Sequence, residues 1–286
     1  MFSIGTYQTL NVKRSIQHGY VLQDTNTNNQ TEMEAEEEVL LPTGLAHREL
    51  SDGENVRVFL YKDGEERVTA TMQEPQITLG EVARLRVKDV NRHGAFLDWG
   101  LSKDLFVPYR EQVDNLRQGD FYLFYMYLDR ETNRLAATQK IDRYLDNEEL
   151  TVEEEEKVDL WIWNRTDLGY NVIINNRHKG LIYHDEFFRS VRTGDRTTGY
   201  IKQIRPDNKI DVTLRPIGYD KVAPSADRIL QKLEQQGGYL DLHDKSDPNV
   251  IRERLNMSKK TFKKSIGLLY RKNSIRIEDD GIYLVE

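Results

Sequence analysis

Three glycines at equal intervals constrain this chain more than any other feature. Gly19, Gly94 and Gly169 are separated by 75 residues each time, and each stands between two short segments in which apolar and polar residues alternate. Alternation with a period of two is the mark of a strand with one buried face. A glycine between two such strands marks a tight hairpin or a bulge. Other landmarks keep the same order. Gly53-Glu54, Gly119-Asp120 and Gly194-Asp195 each precede another alternating strand. The strings Arg67-Val68-Thr69-Ala70-Thr71, Arg134-Leu135-Ala136-Ala137-Thr138 and Lys209-Ile210-Asp211-Val212-Thr213 close the three units.

Helical periodicity is scarce before residue 215. Four or five short strands per unit, joined by polar turns, predict a small closed barrel of the OB type. The first unit carries an insertion, residues 25–38, that reads as a long polar hairpin tip. Residues 141–156 read as a linker containing one helical turn. After residue 218 the pattern changes. An amphipathic helix is expected from Ala226 to Leu233, ended by Gly237-Gly238. A second helix begins at Asp247-Pro248, with proline at its tolerated first position, and runs to Leu255. Ser258 caps a third helix through Tyr270. Strands at 274–278 and 282–285 follow, joined by Asp279-Asp280-Gly281. Three short helices and a hairpin spell a winged helix. The expected fold is therefore mainly β, with barrels at 1–73, 74–140 and 141–218 and a small α+β domain at 219–286.

Charge bears on the partner only once it is divided among these units. The formal net charge is −7, from 41 Lys+Arg and 48 Asp+Glu. Residues 1–75 hold six basic and thirteen acidic side chains, whereas residues 76–140 hold ten and nine. Residues 221–286 hold thirteen and ten, and nine Lys/Arg against one Glu fall within 252–276. The acidity is concentrated in tracts at 32–38 and 153–156, which read as solvated loops. With those set aside, the rest is neutral or basic and suits a nucleic-acid partner.

The chain contains no cysteine, which excludes disulfides, thiolate metal sites and cysteine catalysis. The opening MFSIGTYQTLNVKR lacks the apolar stretch of a signal peptide, and the apolar run from Phe121 to Leu128 is too short to span a bilayer. A cytoplasmic protein without membrane contact is expected. No G-x-x-x-x-G-K-[ST], G-x-S-x-G or H-E-x-x-H occurs, and the six histidines are scattered. No catalytic residue, cofactor or metal is expected.

The middle unit is the clearest. In Arg84-Leu85-Arg86-Val87-Lys88 the apolar side chains alternate with cations, so one face is buried and the other positive. In Ala95-Phe96-Leu97-Asp98-Trp99 the same period puts Ala95, Leu97 and Trp99 on one face and Phe96 with Asp98 on the other. Asp98 faces water, so Phe96 is expected to be exposed. An outward ring beside basic side chains binds single-stranded bases by stacking and phosphate attraction. A singly exposed phenylalanine is also common and by itself means nothing.

The string Gly94-Ala95-Phe96-Leu97-Asp98, followed by Leu105-Phe106-Val107-Pro108, Gly119-Asp120, Asp129 and Arg134, resembles an S1 RNA-binding domain. Gly180-Leu181-Ile182-Tyr183 in the third unit resembles the second element of that pattern. The whole chain, with HGAFLDWGLSKDLFVP and DLGYNVIINNRHKGLIYHDE, resembles the bacterial virulence factor B family, which has tandem S1-type domains and a C-terminal winged helix. The resemblance implies RNA contacts at His93, Phe96, Asp129 and Arg134 in the second unit, with Val107 standing where the family has histidine. In the third unit it implies Leu168, Asn171, Tyr183 and Lys209, with charge added by Arg177, His178 and Lys179. In the acidic first unit the matching residues are His18, Val21, Asp63 and Arg67, and that unit reads as a structural or protein-contact module.

On the third helix of the winged domain, Lys260, Lys264 and Arg271 fall opposite Phe262, Ile266 and Leu269, with Lys263 at the margin. A basic exposed helix after a helix-turn-helix can enter a DNA groove. Lysines in place of forked side chains favour phosphate contact over base reading. The expected partner is thus single-stranded RNA, gripped by barrels two and three and by the basic helix in post-transcriptional regulation. The alternatives are a DNA-binding regulator acting through the winged helix and a protein adaptor of an RNA-processing complex.

Overall fold

The computed structural model describes residues 2–24, 37–187, 191–215 and 219–285, with the backbone alone for 219–224. Three closed five-stranded barrels follow one another. In the first, β1 (Tyr7–Ile16), β2 (Gly19–Gln23), β3 (Glu38–Pro42), β4 (Asn55–Lys62) and β5 (Val68–Thr71) close in the order β1-β2-β3-β5-β4. The second uses β6 (Val82–Asn91), β7 (Gly94–Asp98), β8 (Leu105–Pro108), β9 (Phe121–Asp129) and β10 (Arg134–Thr138). The third uses β11 (Lys157–Arg165), β12 (Gly169–Ile174), β13 (His178–Tyr183), β14 (Arg196–Ile204) and β15 (Ile210–Thr213). All three share one strand order, and the fifth strand pairs parallel with the third.

The repeated glycines are explained by close backbone approach. A Cβ at Gly94 would lie 2.2 Å from the Val107 carbonyl oxygen, at Gly19 2.2 Å from that of Leu41, and at Gly169 1.9 Å from that of Ile182. No other residue permits the second and third strands to cross so closely. The second glycine set serves a different purpose. The Gly53, Gly119 and Gly194 N–H groups donate to the carbonyls of Val12, Val87 and Ile162 at 2.7, 2.8 and 2.8 Å. Those three acceptors sit at the bulge of the first strand in each barrel. Each glycine–acid turn therefore docks on a bulge and sets where the fourth strand begins.

Alternation along the strands places the side chains as expected. Leu85 and Val87 are buried while Arg84, Arg86 and Lys88 are exposed. Ala95, Leu97 and Trp99 enter the core, and Asp98 faces water. Successive barrels also share buried surface. Phe59 and Tyr61 of the first barrel belong to the same apolar cluster as Leu85, Trp99 and Phe124 of the second, with the Phe59 and Trp99 rings edge to face at 5.9 Å. Val82, Leu123 and Ile141 meet Ile173 of the third barrel, flanked by Trp161 and Trp163.

Residues 141–144 form a 3-10 turn, the helical turn expected in the linker. His178 departs from expectation. It is fully buried on β13, and its Nε2 accepts from the Thr151 N–H at 3.2 Å while Nδ1 meets the Asp146 carbonyl oxygen. Both ring nitrogens are spent on tying the linker to the barrel, so His178 is turned inward, away from any ligand on the surface. The expected polar hairpin tip at 25–38 lies outside the described residues except for its last two, Glu37 and Glu38.

The C-terminal domain packs α1 (Tyr219–Gln235), α2 (Pro248–Leu255) and α3 (Lys259–Arg271) on one core with Phe262, Ile266 and Leu269 at its centre. Asp247 and Ser258 cap α2 and α3, accepting from the Asn249 and Thr261 N–H groups at 2.7 and 3.1 Å. Helix α1 starts seven residues before the expected Ala226 and runs through Pro224, a residue that ordinarily marks a helix start. The wing also has a third strand. β16 (Tyr239–Leu240) pairs with β18 (Ile282–Leu284), which pairs with β17 (Ile275–Ile277). A two-residue strand leaves no periodicity in the sequence. No helix among the described residues is long and apolar enough to cross a membrane.

Candidate nucleic-acid interface

On the second barrel, an outward row runs across four paired strands. Phe96 on β7 pairs with Phe106 on β8, Phe106 with Ala136 on β10, and Ala136 with Tyr127 on β9. The Phe96 and Phe106 rings lie 5.1 Å apart, tilted by 43°. Each is half-buried by the other, so Phe96 points outward as expected but is less exposed than an isolated ring. The small side chain of Ala136 leaves a floor between Phe106 and Tyr127.

Phe96, Phe106 and Ala136 line a cavity of about 530 Å³ that also includes His93, Asp129 and Arg134, while Tyr127 lies outside it. The sequence-derived residues of the second unit are thus brought together in one place. His93 is exposed at the β6–β7 turn, where its N–H donates to Asn91 Oδ1 at 2.9 Å. Pro108, not Val107, lies opposite Gly94 and matches Tyr183, which lies opposite Gly169. Val107 is fully buried in the core. The match of Val107 to the family's histidine position is therefore displaced by one residue, and a slip of one along a strand exchanges its faces.

The first barrel supplies the far wall through Tyr61, Lys62 and Glu66. Glu66 Oε2 accepts from Arg134 Nε at 2.7 Å, and Oε1 accepts from Lys103 Nζ at 2.9 Å. Lys103 Nζ also donates to the Asp63 carbonyl oxygen at 2.7 Å. The hydrogen bond from Lys103, joined by that from Arg134, holds the Glu66 carboxyl below its ordinary value. Sequence reasoning passed over Phe106, Lys103 and Glu66. The alternation of buried Leu105 and Val107 around Phe106 was available to find the first; nothing local marks the other two.

The same face of the third barrel is built differently. Asn171 and Leu181 stand where the second barrel has Phe96 and Phe106, and Asp211 stands where it has Ala136. Asp211 accepts a two-pronged bond from Arg205, Nε to Oδ2 and Nη2 to Oδ1, both at 3.0 Å. The Arg205 guanidinium also donates to the Tyr183 hydroxyl, fixing that ring. Lys179 and Lys209 line a cavity of about 400 Å³ with Arg205 and Asp211. Lys179 Nζ donates to Asp142 Oδ1 at 2.7 Å, and Lys209 pairs with Asp207 at 2.7 Å. Arg177 is exposed in the β12–β13 turn and does not line this cavity.

Helix α3 presents Lys260, Lys263, Lys264 and Arg271 to solvent. Lys263 has Asp244 at 3.8 Å, and Arg271 Nε donates to the Gly267 carbonyl oxygen at 3.2 Å. A Cβ at Gly267 would meet nothing within 4 Å, so the helix surface between Lys264 and Arg271 is flat and open. Among the described residues, no group of three His, Asp or Glu is placed to hold a metal ion.

Comparison with known proteins bears on the domains that carry these residues. The S1 domain family matches residues 4–73 and 79–140, and the CvfB-like winged helix domain matches residues 227–284. The third barrel lies outside both matches and is joined to the first two by its strand order. Tandem S1 domains followed by a winged helix define a nucleic-acid-binding protein. The chain is 28% identical to YitL of Bacillus subtilis, over 98% of this chain and 93% of that protein. It is 26% identical to Conserved virulence factor B of Staphylococcus aureus strain USA300, over 83% of this chain and 82% of that protein. In its domain order and along most of its length it is similar to the conserved virulence factor B family. A solved multidomain protein with nucleic acid binding domains from Streptococcus pneumoniae is 21% identical, with a TM-score of 0.40, over 99% of this chain and 98% of that one.

Proposed function

We propose that this protein binds single-stranded RNA without chemically altering it, and acts in post-transcriptional control of gene expression. Four modules, meeting near residues 73, 140 and 218, share the work. The observation that carries this reading is the outward Phe96–Phe106 pair set in one cavity with Arg134 and Lys103. Two ring faces receive bases, which must be unpaired to reach them, and the cations meet the backbone. His93 extends the stacking surface at the cavity edge. On the third barrel Lys179, Lys209 and Tyr183 add contacts, with Arg177 beside them, and on the winged helix Lys260, Lys263, Lys264 and Arg271 do so. Linked weak modules gain affinity through effective concentration.

Binding to labelled single-stranded RNA, single-stranded DNA and duplex DNA at two salt concentrations tests the proposal. Single-stranded RNA should bind most tightly, and Phe96→Ala should reduce that binding. A preferred duplex, bound with equal strength by Phe96→Ala, would replace this reading with a DNA-binding regulator acting through α3.

A further inference from the structure

One turn occurs three times in the chain, and its first copy differs in a telling way. The turn joins the fourth strand of each barrel to the fifth. The residue just before Arg67, Arg134 or Lys209 adopts a left-handed backbone each time, with φ of 65° at Glu66, 52° at Asn133 and 58° at Asn208. Asparagine tolerates that conformation because its short side chain bonds locally, whereas glutamate is poorly suited to it. The second and third barrels carry the suitable residue. The first carries glutamate, and its carboxylate reaches across to Arg134 and Lys103 at 2.7 and 2.9 Å in the second barrel's cavity. A residue poorly matched to its backbone, with a function available to its side chain, points to selection for the side chain.

We propose that Glu66 is a built-in stand-in for an RNA phosphate: it occupies Arg134 and Lys103 in the free protein and is displaced when a strand enters the cavity. This rests on the reading of the cavity as an RNA site. The carboxylate has the charge and bidentate oxygen geometry that these two cations would meet in a phosphodiester. Its displacement releases one of the links between the first and second barrels. The first barrel therefore acts as a competitor that sets a threshold for binding. A strand that stacks bases on Phe96 and Phe106 meets that threshold, and one that supplies phosphate alone does not.

Glu66→Asn and Glu66→Gln test this against a labelled single-stranded oligouridine RNA. Glu66→Asn installs the residue the other two turns use, so the fold should be kept. Glu66→Gln keeps the side-chain length and removes the charge. Both should tighten binding by roughly three- to tenfold, as expected when a competing state is removed. Both should also steepen the salt dependence, because Arg134 and Lys103 would then hold counterions that RNA must release. The gain should vanish when Arg134 and Lys103 are replaced by alanine in the same chain. Unchanged or weaker binding by both variants would overturn the competitor role and leave Glu66 as a positioning residue for Arg134. Failure of the RNA site itself would show separately, as oligouridine binding by the parent protein that is insensitive to Phe96→Ala.

Discussion

The second and third barrels share one scaffold and differ in what they place on the same face. Their glycines, bulges and strand order correspond point by point. On the second barrel that scaffold holds two rings and an alanine floor. On the third it holds Asn171, Leu181 and an aspartate that claims Arg205 and, through it, Tyr183. Scaffold and face are thus set by different residues. A handful of outward positions decides whether a barrel presents paired rings, and the third barrel has spent its arginine internally. The cations at its rim remain suited to phosphate.

The sharpest way to break this comparison is to remove a ring. Phe96→Ala should weaken single-stranded RNA binding by about 1–3 kcal/mol, whereas Asn171→Ala should cost less than about 0.5 kcal/mol. Fluorescence anisotropy with one labelled strand measures both. Because Phe96 packs on Phe106, the variant should also lose about 0.5–1.5 kcal/mol of stability from the ring pair. Equal losses of affinity in both variants would show that stacking does not separate the barrels.

Next in size is the contrast between rings and phosphate contacts. Lys260, Lys263 and Lys264 replaced together by alanine should lower affinity for every sequence alike, and the salt slope should fall by roughly 0.7 per lost contact. Phe96→Ala should leave that slope unchanged. A loss confined to one duplex sequence would mean that α3 reads bases.

A smaller gain should follow from making the third barrel resemble the second. Asn171→Phe places a ring on the half-buried outward face and should add about 1 kcal/mol of binding, near the lower end of one stacked base. The smallest effect is on α3. Gly267→Ala fills open space on a helix interior and should raise the stability of the winged domain by about 0.8–1 kcal/mol, read by thermal melting.

Much of the scaffold was legible because its constraints are local. A Cβ at residue 19, 94 or 169 would strike a backbone oxygen, so glycine repeats where the strands cross. Leu85 and Val87 announce their face by alternation, and Phe96 announces the opposite one. The site was less legible. Glu66 meets Arg134 from 68 residues away across a barrel boundary, and no periodicity encodes that distance. Arg177 and His178 are neighbours in the chain, yet one is exposed in a turn and the other is buried holding the linker. Val107 differs from Pro108 by a single step, which is enough to move a residue from cavity wall to core.

Where an RNA strand touches the chain is the most direct test of this account. Ultraviolet crosslinking of single-stranded RNA to the full chain, read by mass spectrometry, locates each contacted peptide. The account predicts that the strongest crosslinks fall on the peptides containing Phe96 and Phe106, with weaker ones on the third barrel and α3. Crosslinks confined to α3 or the third barrel, with none at Phe96 or Phe106, would contradict it.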